Sequence, residues 1–332
     1  MTNSNEAILV TGSAGFIGFH LSKRLLETGY AVVGVDNLNP YYDVNLKRAR
    51  LDILKSHESF SFYETDIQDL QGLKDIFKQR RVTKICNLAA QAGVRYSLKD
   101  PFSYQKSNIE GFLNLLELAR KYKVSNFVYA SSSSVYGKNR KSPYSVEDRV
   151  DNPISLYAAT KKANELMAHA YSHLFGIPCT GLRYFTVYGP WGRPDMALFL
   201  FTDAILKKRP INVYNYGEMR RDFTYIDDII DGTIRAIERP VPYDIFNLGN
   251  SDSVGLLEFI RVIEEELGQE AEKNMMPLQP GDVAETVADI QRSRELLGFN
   301  PRTPLREGIK KFIAWYREYY GIKTLWPSKV WR

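Results

Sequence analysis

Ala7-Ile-Leu-Val-Thr11-Gly12-Ser13-Ala14-Gly15-Phe16-Ile17-Gly18 is an apolar run that breaks into three glycines, each three residues from the last. Leu21, Leu25 and Leu26 follow at helical spacing, and Gly29 supplies a stop signal. Strand, glycine turn and helix in that order form the setting in which a chain binds a dinucleotide. Gly12 permits the tight turn, Gly15 lets the backbone approach a pyrophosphate, and Gly18 allows the helix to pack closely. The N–H groups at the helix start, around Phe16 and Ile17, attract the anion. A second strand, Ala31 to Val35, ends in Asp36 and is followed by Asn37. A carboxylate at that strand end accepts hydrogen bonds from both ribose hydroxyls and repels a 2′-phosphate, so NAD is expected rather than NADP.

Outward from this unit the strand and helix signals alternate. Asn39 to Ser59, with Arg48 and Arg50, reads as a polar helical surface excursion. Phe60 to Tyr63 is a third strand, closed by Asp66 and Ile67, where a carboxylate and an aliphatic chain suit an adenine ring; Asp66 reads equally well as a helix N-cap. Leu70 to Phe77 is amphipathic. Lys84 to Leu88 is a fourth strand running into Ala89, Ala90 and further small residues that let backbone pass close to a cofactor. The helix from Tyr104 to Tyr122 carries an apolar stripe, with Asn108 as its candidate functional residue. Asn126 to Gly137 is a strand ending in Ser131, Ser132, Ser133 and Ser134, a cluster of hydroxyls at the edge where open α/β sheets bind ligands. Tyr157 and Lys161 come next, four residues apart in a segment without Pro or Gly, so a helix presents both from one face. A phenol is a poor base at neutrality, and a fixed ammonium beside it favours the phenolate.

The composition bounds what such a chain does. At 332 residues it can bury a large core in two domains, and 44% apolar with 25% charged residues is ordinary for a globular protein. A net charge of +5 spread along the chain gives no reason to expect a nucleic-acid or membrane partner. Cys86 and Cys179 have no metal-ligand spacing and fall in strand-like runs, as buried thiols of a reducing compartment do. With no apolar stretch of membrane-spanning length and no signal-like N-terminus, the expected location is the cytoplasm.

Taken together, the glycine motif, Asp36, Asp66-Ile67, Leu88-Ala89-Ala90, the Ser131 to Gly137 run and Tyr157-Ala-Ala-Thr-Lys161 resemble the extended short-chain dehydrogenase/reductase superfamily, in particular its nucleotide-sugar epimerases. The resemblance covers essentially the whole chain. It implies a Rossmann-type doubly wound parallel sheet with a smaller C-terminal α/β domain for the substrate. Residues 1–182 would form the NAD domain, with a returning strand near 226–250; residues 183–225 and 251–332 would hold the nucleotide sugar. It further implies that Ser132, Tyr157 and Lys161 act together. Gly12, Gly15, Phe16, Ile17, Gly18, Asp36, Asn37, Asp66, Ile67, Leu88, Ala89, Ala90, Asn108, Tyr157, Lys161 and Tyr184 would contact NAD. Helices near 104–122 and 157–174 resemble those that pair in the superfamily's homodimers.

Pro178 to Tyr184 is a further strand, and the turn-rich loop after it, Phe185 to Met196, resembles that of UDP-glucuronate 4-epimerases. Arg193, backed by Thr186, suits a sugar carboxylate through paired charge-assisted hydrogen bonds. By the same resemblance Arg221 would meet the UDP diphosphate and Asp282 the uridine ribose, with Arg95, Ser133 and Ser134 also on the substrate. Asp227 and Asp228 read as first-turn acids of a helix, Tyr243 to Leu248 as the returning strand, and Leu256 to Leu267 and Pro304 to Tyr320 as helices. The dehydratases of the superfamily place Asp-Glu, and its decarboxylases a Glu, just after the catalytic hydroxyl. Ser131 to Gly137 contains no carboxylate, which favours returning the hydride over elimination. The expected reaction is 4-epimerisation of UDP-glucuronate through a 4-keto sugar. A UDP-glucose 4-epimerase and a UDP-xylose synthase are the rival enzymes, and a catalytically silent NAD-binding sensor is the rival of another class.

Overall fold

The computed structural model describes residues 6–139, 141–279 and 281–322. Pro280, within the expected Pro-Gly-Asp turn, and 323–332, the end of the expected sugar-binding segment, lie outside them. Seven parallel strands form the central sheet: β1 (Ala7–Thr11), β2 (Ala31–Asp36), β3 (Phe60–Glu64), β4 (Val82–Asn87), β5 (Asn126–Ser132), β6 (Cys179–Tyr184) and β11 (Tyr243–Leu248), in the order β11-β6-β5-β4-β1-β2-β3. This is the doubly wound arrangement expected, with β11 added beyond β6. Strands buried on both faces need apolar side chains in both alternating sets. In β1, Ile8 and Val10 face one core cluster and Ala7 and Leu9 the other.

Helices α1 (Phe16–Glu27), α2 (Val44–Lys55), α3 (Leu70–Gln79), α4 (Pro101–Tyr104), α5 (Gly111–Lys121) and α6 (Leu156–Phe175) cover the sheet. A π-helical segment, Gln105–Glu110, joins α4 to α5, so the helix expected over 104–122 is interrupted on the turn that carries Asn108. Between β6 and β11 come β7 (Thr186–Tyr188), α7 (Ala197–Leu206), β8 (Ile211–Tyr214), β9 (Arg220–Arg221), β10 (Phe223–Tyr225) and α8 (Ile226–Glu238). After β11 come β12 (Val254–Gly255), α9 (Leu256–Leu267), β13 (Lys273–Met276), α10 (Gln291–Leu297) and α11 (Leu305–Tyr319). Three small ribbons, β7 with β10, β9 with β12 and β8 with β13, tie these pieces together over an aromatic core. Phe223 stacks flat on Phe259 at 4.0 Å, and Trp315 on Tyr319 at 5.6 Å.

Two expectations are corrected here. The segment around Arg50 is no surface excursion: Arg50 is fully buried on the face of α2 that also buries Leu46 and Leu54. Asp66 is not the cap of α3 either, because Asp69 accepts the Gly72 N–H in that role.

Candidate functional site

A cleft of about 1270 Å³ opens at the carboxyl ends of β1, β2, β4, β5 and β6. It begins at the reversal of strand order between β1 and β4, where open α/β sheets bind ligands. Whether a dinucleotide fits there is decided by the glycines. A Cβ on Gly18 would lie 2.0 Å from the Gly12 carbonyl oxygen, one on Gly15 would lie 2.9 Å from the same oxygen, and one on Gly12, at φ +69°, would lie 2.9 Å from the Ala89 nitrogen. The turn is therefore closed to any side chain. Gly15 caps α1 without a side-chain hydrogen bond and the first turn holds no acid, which leaves its N–H groups for an anion. Asp36, buried at the end of β2, accepts from Ala14 N at 3.1 Å and Leu38 N at 2.9 Å. Asn37 donates to Asp66 at 2.7 Å and so joins the loops after β2 and β3, and Ile67 completes that wall. Leu88 and Ala89 donate to the Thr11 hydroxyl, which pins the loop after β4 against the glycine turn. These residues fit NAD.

At the other end of the cofactor wall stand the candidate catalytic groups. Ser155 caps α6 through the Ala158 N–H, and the helix then carries Tyr157 and Lys161 into the cleft from one face. The Ser132 hydroxyl, at the end of β5, accepts from Ser134 N at 3.1 Å and lies near the Tyr157 phenol, whose pKa it lowers. Burial raises the Tyr157 pKa, against the Ser132 hydroxyl and the charge of Arg193, which lower it. The cation acting on the phenol in this structure is thus Arg193, while the Lys161 ammonium donates to the Ala130 carbonyl at 2.8 Å. Burial brings Lys161 down to about 8. Beneath this wall Glu165 and Arg183 form a buried pair, with Ser131 donating to Glu165 at 2.6 Å. The guanidinium holds Glu165 below its usual range despite burial, so the strand end beside Ser132 is anchored by a charge-assisted network.

The loop after β7 supplies the substrate side. Arg193 is mostly buried and meets Asp195 through two hydrogen bonds, Nε at 3.0 Å and Nη2 at 2.5 Å. Asp195 also accepts from the Tyr41 hydroxyl at 3.2 Å. One edge of the guanidinium is therefore engaged by Asp195, and among the described residues Nη1 has no hydrogen-bond partner. Thr186, Ser133 and Ser134 line the same cavity. Farther along, Arg95 pairs with Asp282 at 2.7 Å and lies over the Tyr214 ring at 4.4 Å, bridging the two rims.

Tyr184 lines the cleft with its hydroxyl tied to Thr233. Two expected contacts are not on its surface. Asn108 lies buried behind it, accepting from Gln91 N and donating to Gln91 O and Thr160, where it holds the backbone after β4. Arg221 donates to the Ala284 carbonyl at 3.1 Å beside Asp282. Sequence reasoning missed Asp195 and Tyr41, for which turn-like and polar loop segments give no signal. It also missed Arg50, for which the i, i+4 spacing from Leu46 and to Leu54 was a signal.

Fold and cleft together define an NAD-binding α/β protein of the short-chain dehydrogenase/reductase type. Residues 8–249 match the NAD dependent epimerase/dehydratase family, and the chain belongs to it. It is 47% identical to UDP-glucuronate 4-epimerase 4 of Arabidopsis thaliana, over 96% of this chain and 77% of that one. The crystal structure of Bacillus cereus UDP-glucuronic acid 4-epimerase in complex with UDP-glucuronic acid and NAD superposes with a TM-score of 0.88 at 37% identity, covering 95% of this chain and 100% of the other. The UDP-glucose 4-epimerase of Thermotoga maritima, with UDP-glucose, gives 0.86 at 33% identity, over 95% and 99%. The fold is thus similar to enzymes of both specificities, and the side chains of the sugar end must decide between them.

Proposed function

We propose that the protein interconverts UDP-glucuronate and UDP-galacturonate by NAD-dependent 4-epimerisation. The carrying observation is that Arg193, a mostly buried cation, lines the same cleft as Tyr157 together with Thr186, Ser133 and Ser134, and its charge lowers the phenol's pKa. In a hexuronate the carboxylate is attached at C5, next to the carbon whose hydroxyl the base must reach, so a cation lining the same cleft as the base suits this sugar.

When bound, NAD accepts the hydrogen of C4 with its electron pair and later returns it. Tyr157 removes the 4-OH proton, and Ser132 polarises the forming carbonyl. Lys161 orients the phenol's surroundings from the helix turn behind it. The 4-keto sugar turns about its link to the diphosphate and is reduced on its other face, and Tyr157 gives the proton back to O4. A 4-ketohexuronate is a β-keto acid that readily loses CO₂. Arg193, Thr186, Ser133 and Ser134 hold its carboxylate, and the absence of any acid from Ser131 to Gly137 leaves no group there to promote elimination.

The proposed division of labour is supported by the strand order. On this reading residues 1–182 with the returning strand near 226–250 serve NAD and 183–225 with 251–332 serve the sugar, and the place of β11 beside β6 in the sheet supports it. Exposed Phe102, Leu113, Leu166, Leu174 and Phe175 on α4, α5 and α6 support pairing of two copies through those helices. Both cysteines are free and buried, which supports a reducing, cytoplasmic setting. Among the described residues no helix is long and apolar enough to cross a membrane.

Side-by-side assay of UDP-glucuronate and UDP-glucose, with product analysis, tests this reading. UDP-galacturonate as the main product is expected. A better rate with UDP-glucose, or pentose as the main product, ends it. Turnover by Tyr157→Phe at the wild-type rate would remove Tyr157 as the base, and no turnover by the wild type on any of these sugars would point to the silent sensor.

A further inference from the structure

Arg50 is fully buried and, among the described residues, has no carboxylate within ion-pair distance. A guanidinium in such a place is costly unless its N–H groups are satisfied. Among the described residues Nε has no partner, and the two terminal nitrogens are met by Tyr42 and by two loops far apart in sequence. Nη1 donates to the Ala14 carbonyl of the glycine turn and to the Tyr42 hydroxyl, each at 2.8 Å. Nη2 donates to the Trp191 carbonyl at 2.6 Å and to the Gly192 carbonyl at 3.3 Å.

Both ends of this clamp lead directly to the site. The Ala14 N–H is held by Asp36, so that one residue of the glycine turn is fixed at its nitrogen by the ribose carboxylate and at its oxygen by Arg50. Gly192 precedes Arg193 in the chain. Trp191 has a left-handed backbone, φ +59°, which a bulky residue adopts only when its surroundings impose it. Packing of its ring against Phe19, Trp315 and Tyr319 and the Arg50 bond to its carbonyl are the visible causes. Behind the same loop, His20 of α1 donates from Nε2 to the Pro190 carbonyl at 2.9 Å.

We propose that Arg50 is a positioning residue that joins the cofactor turn to the carboxylate-binding loop and aims Arg193 at the sugar. It acts through backbone carbonyls and touches neither substrate nor cofactor. The inference rests on the proposed substrate in that the residue it aims, Arg193, is read as the carboxylate's partner. A lysine cannot replace it: one ammonium on a flexible stem cannot span acceptors on two loops as a planar guanidinium does.

The test is a double-mutant cycle. Arg50→Gln and Arg193→Gln, alone and combined, are assayed with saturating NAD on UDP-glucuronate and UDP-glucose, with unfolding curves to establish that each variant is folded. Arg50→Gln is expected to raise KM for UDP-glucuronate about tenfold with kcat within about threefold, to leave UDP-glucose little changed, and to cost less than about threefold once Arg193 is already Gln. Equal losses on both sugars, or the full tenfold loss in the Arg193→Gln background, would overturn the proposal, because a merely structural Arg50 damages every background alike. Should Arg50→Gln not fold, Arg50→Lys decides by the same criteria. If the wild type prefers UDP-glucose, the substrate reading fails; the cycle is then run on that sugar, where non-additivity supports the coupling and additivity overturns it.

Discussion

The two ends of the cleft are built on different principles. At the adenosine end the recognising groups are mostly backbone: a turn closed to side chains, the uncapped start of α1, and one carboxylate, Asp36, held by two backbone N–H groups. At the sugar end they are side chains, and their supports include residues from distant parts of the chain. Arg193 is gripped by Asp195, which is gripped in turn by Tyr41. Backbone recognition demands a spacing of glycines, whereas side-chain recognition demands only that folding bring the right partners together. A family can therefore keep the first end constant and vary the second.

The sharpest way to separate the two ends is to remove the base. Tyr157→Phe should lower kcat by roughly 10³ to 10⁴-fold while NAD binding is kept, as measured by turnover and by cofactor retained after gel filtration. If NAD is lost as well, the ends are not separable. The reverse experiment is Gly18→Val. Its Cβ would meet the Gly12 oxygen at 2.0 Å, a backbone atom that cannot rotate away, and the strain of about 1–3 kcal/mol should weaken NAD binding by roughly 5- to 150-fold in a titration. Once NAD is saturating, the KM for the sugar should return to near the wild-type value.

Arg193→Gln probes the sugar end alone. A roughly tenfold rise in KM for UDP-glucuronate, little change for UDP-glucose and a larger pentose fraction are expected from product analysis. An unaltered ratio between the two sugars would mean that Arg193 does not read the carboxylate. The smallest effect concerns the seam between the ends. Burial lowers the His20 pKa to about 3, so the folded chain resists a proton that the unfolded chain takes up below about pH 6.5. The unfolded state binds more protons in that window, so the contribution of His20 is present above it and is lost as the pH falls. Between pH 7 and pH 5 the loss is about 2 kcal/mol in urea unfolding, and His20→Gln should remove that part of the pH dependence.

How much of this was written in the sequence follows the same division. The strands, the glycine turn, Asp36 and the returning strand Tyr243 to Leu248 were legible, since an apolar run buried on both faces and a glycine at a steric limit leave marks at fixed spacing. Ser132, Tyr157 and Lys161, expected to act together, all line one cleft. What their spacing did not reveal was where the ammonium points, because its acceptor, Ala130, belongs to another element. Asn108 and Arg221 were named for contacts with ligand and are found tying backbone segments together. A polar side chain on an apolar stripe advertises that it is satisfied, without saying by what. Arg50 is the plainest case: four hydrogen-bonding partners, none closer than eight positions along the chain.

The placement of β11 has a consequence for how the molecule is made. As the chain leaves the ribosome, β6 emerges with one edge bare and keeps it so until some sixty further residues have been synthesised, because its partner is Tyr243–Leu248. The intervening residues add no strand to the central sheet, so a nascent nucleotide-binding half cannot seal its own border. A chain cut short after Tyr184 would expose that border to any neighbouring polypeptide and is expected to aggregate rather than to bind NAD.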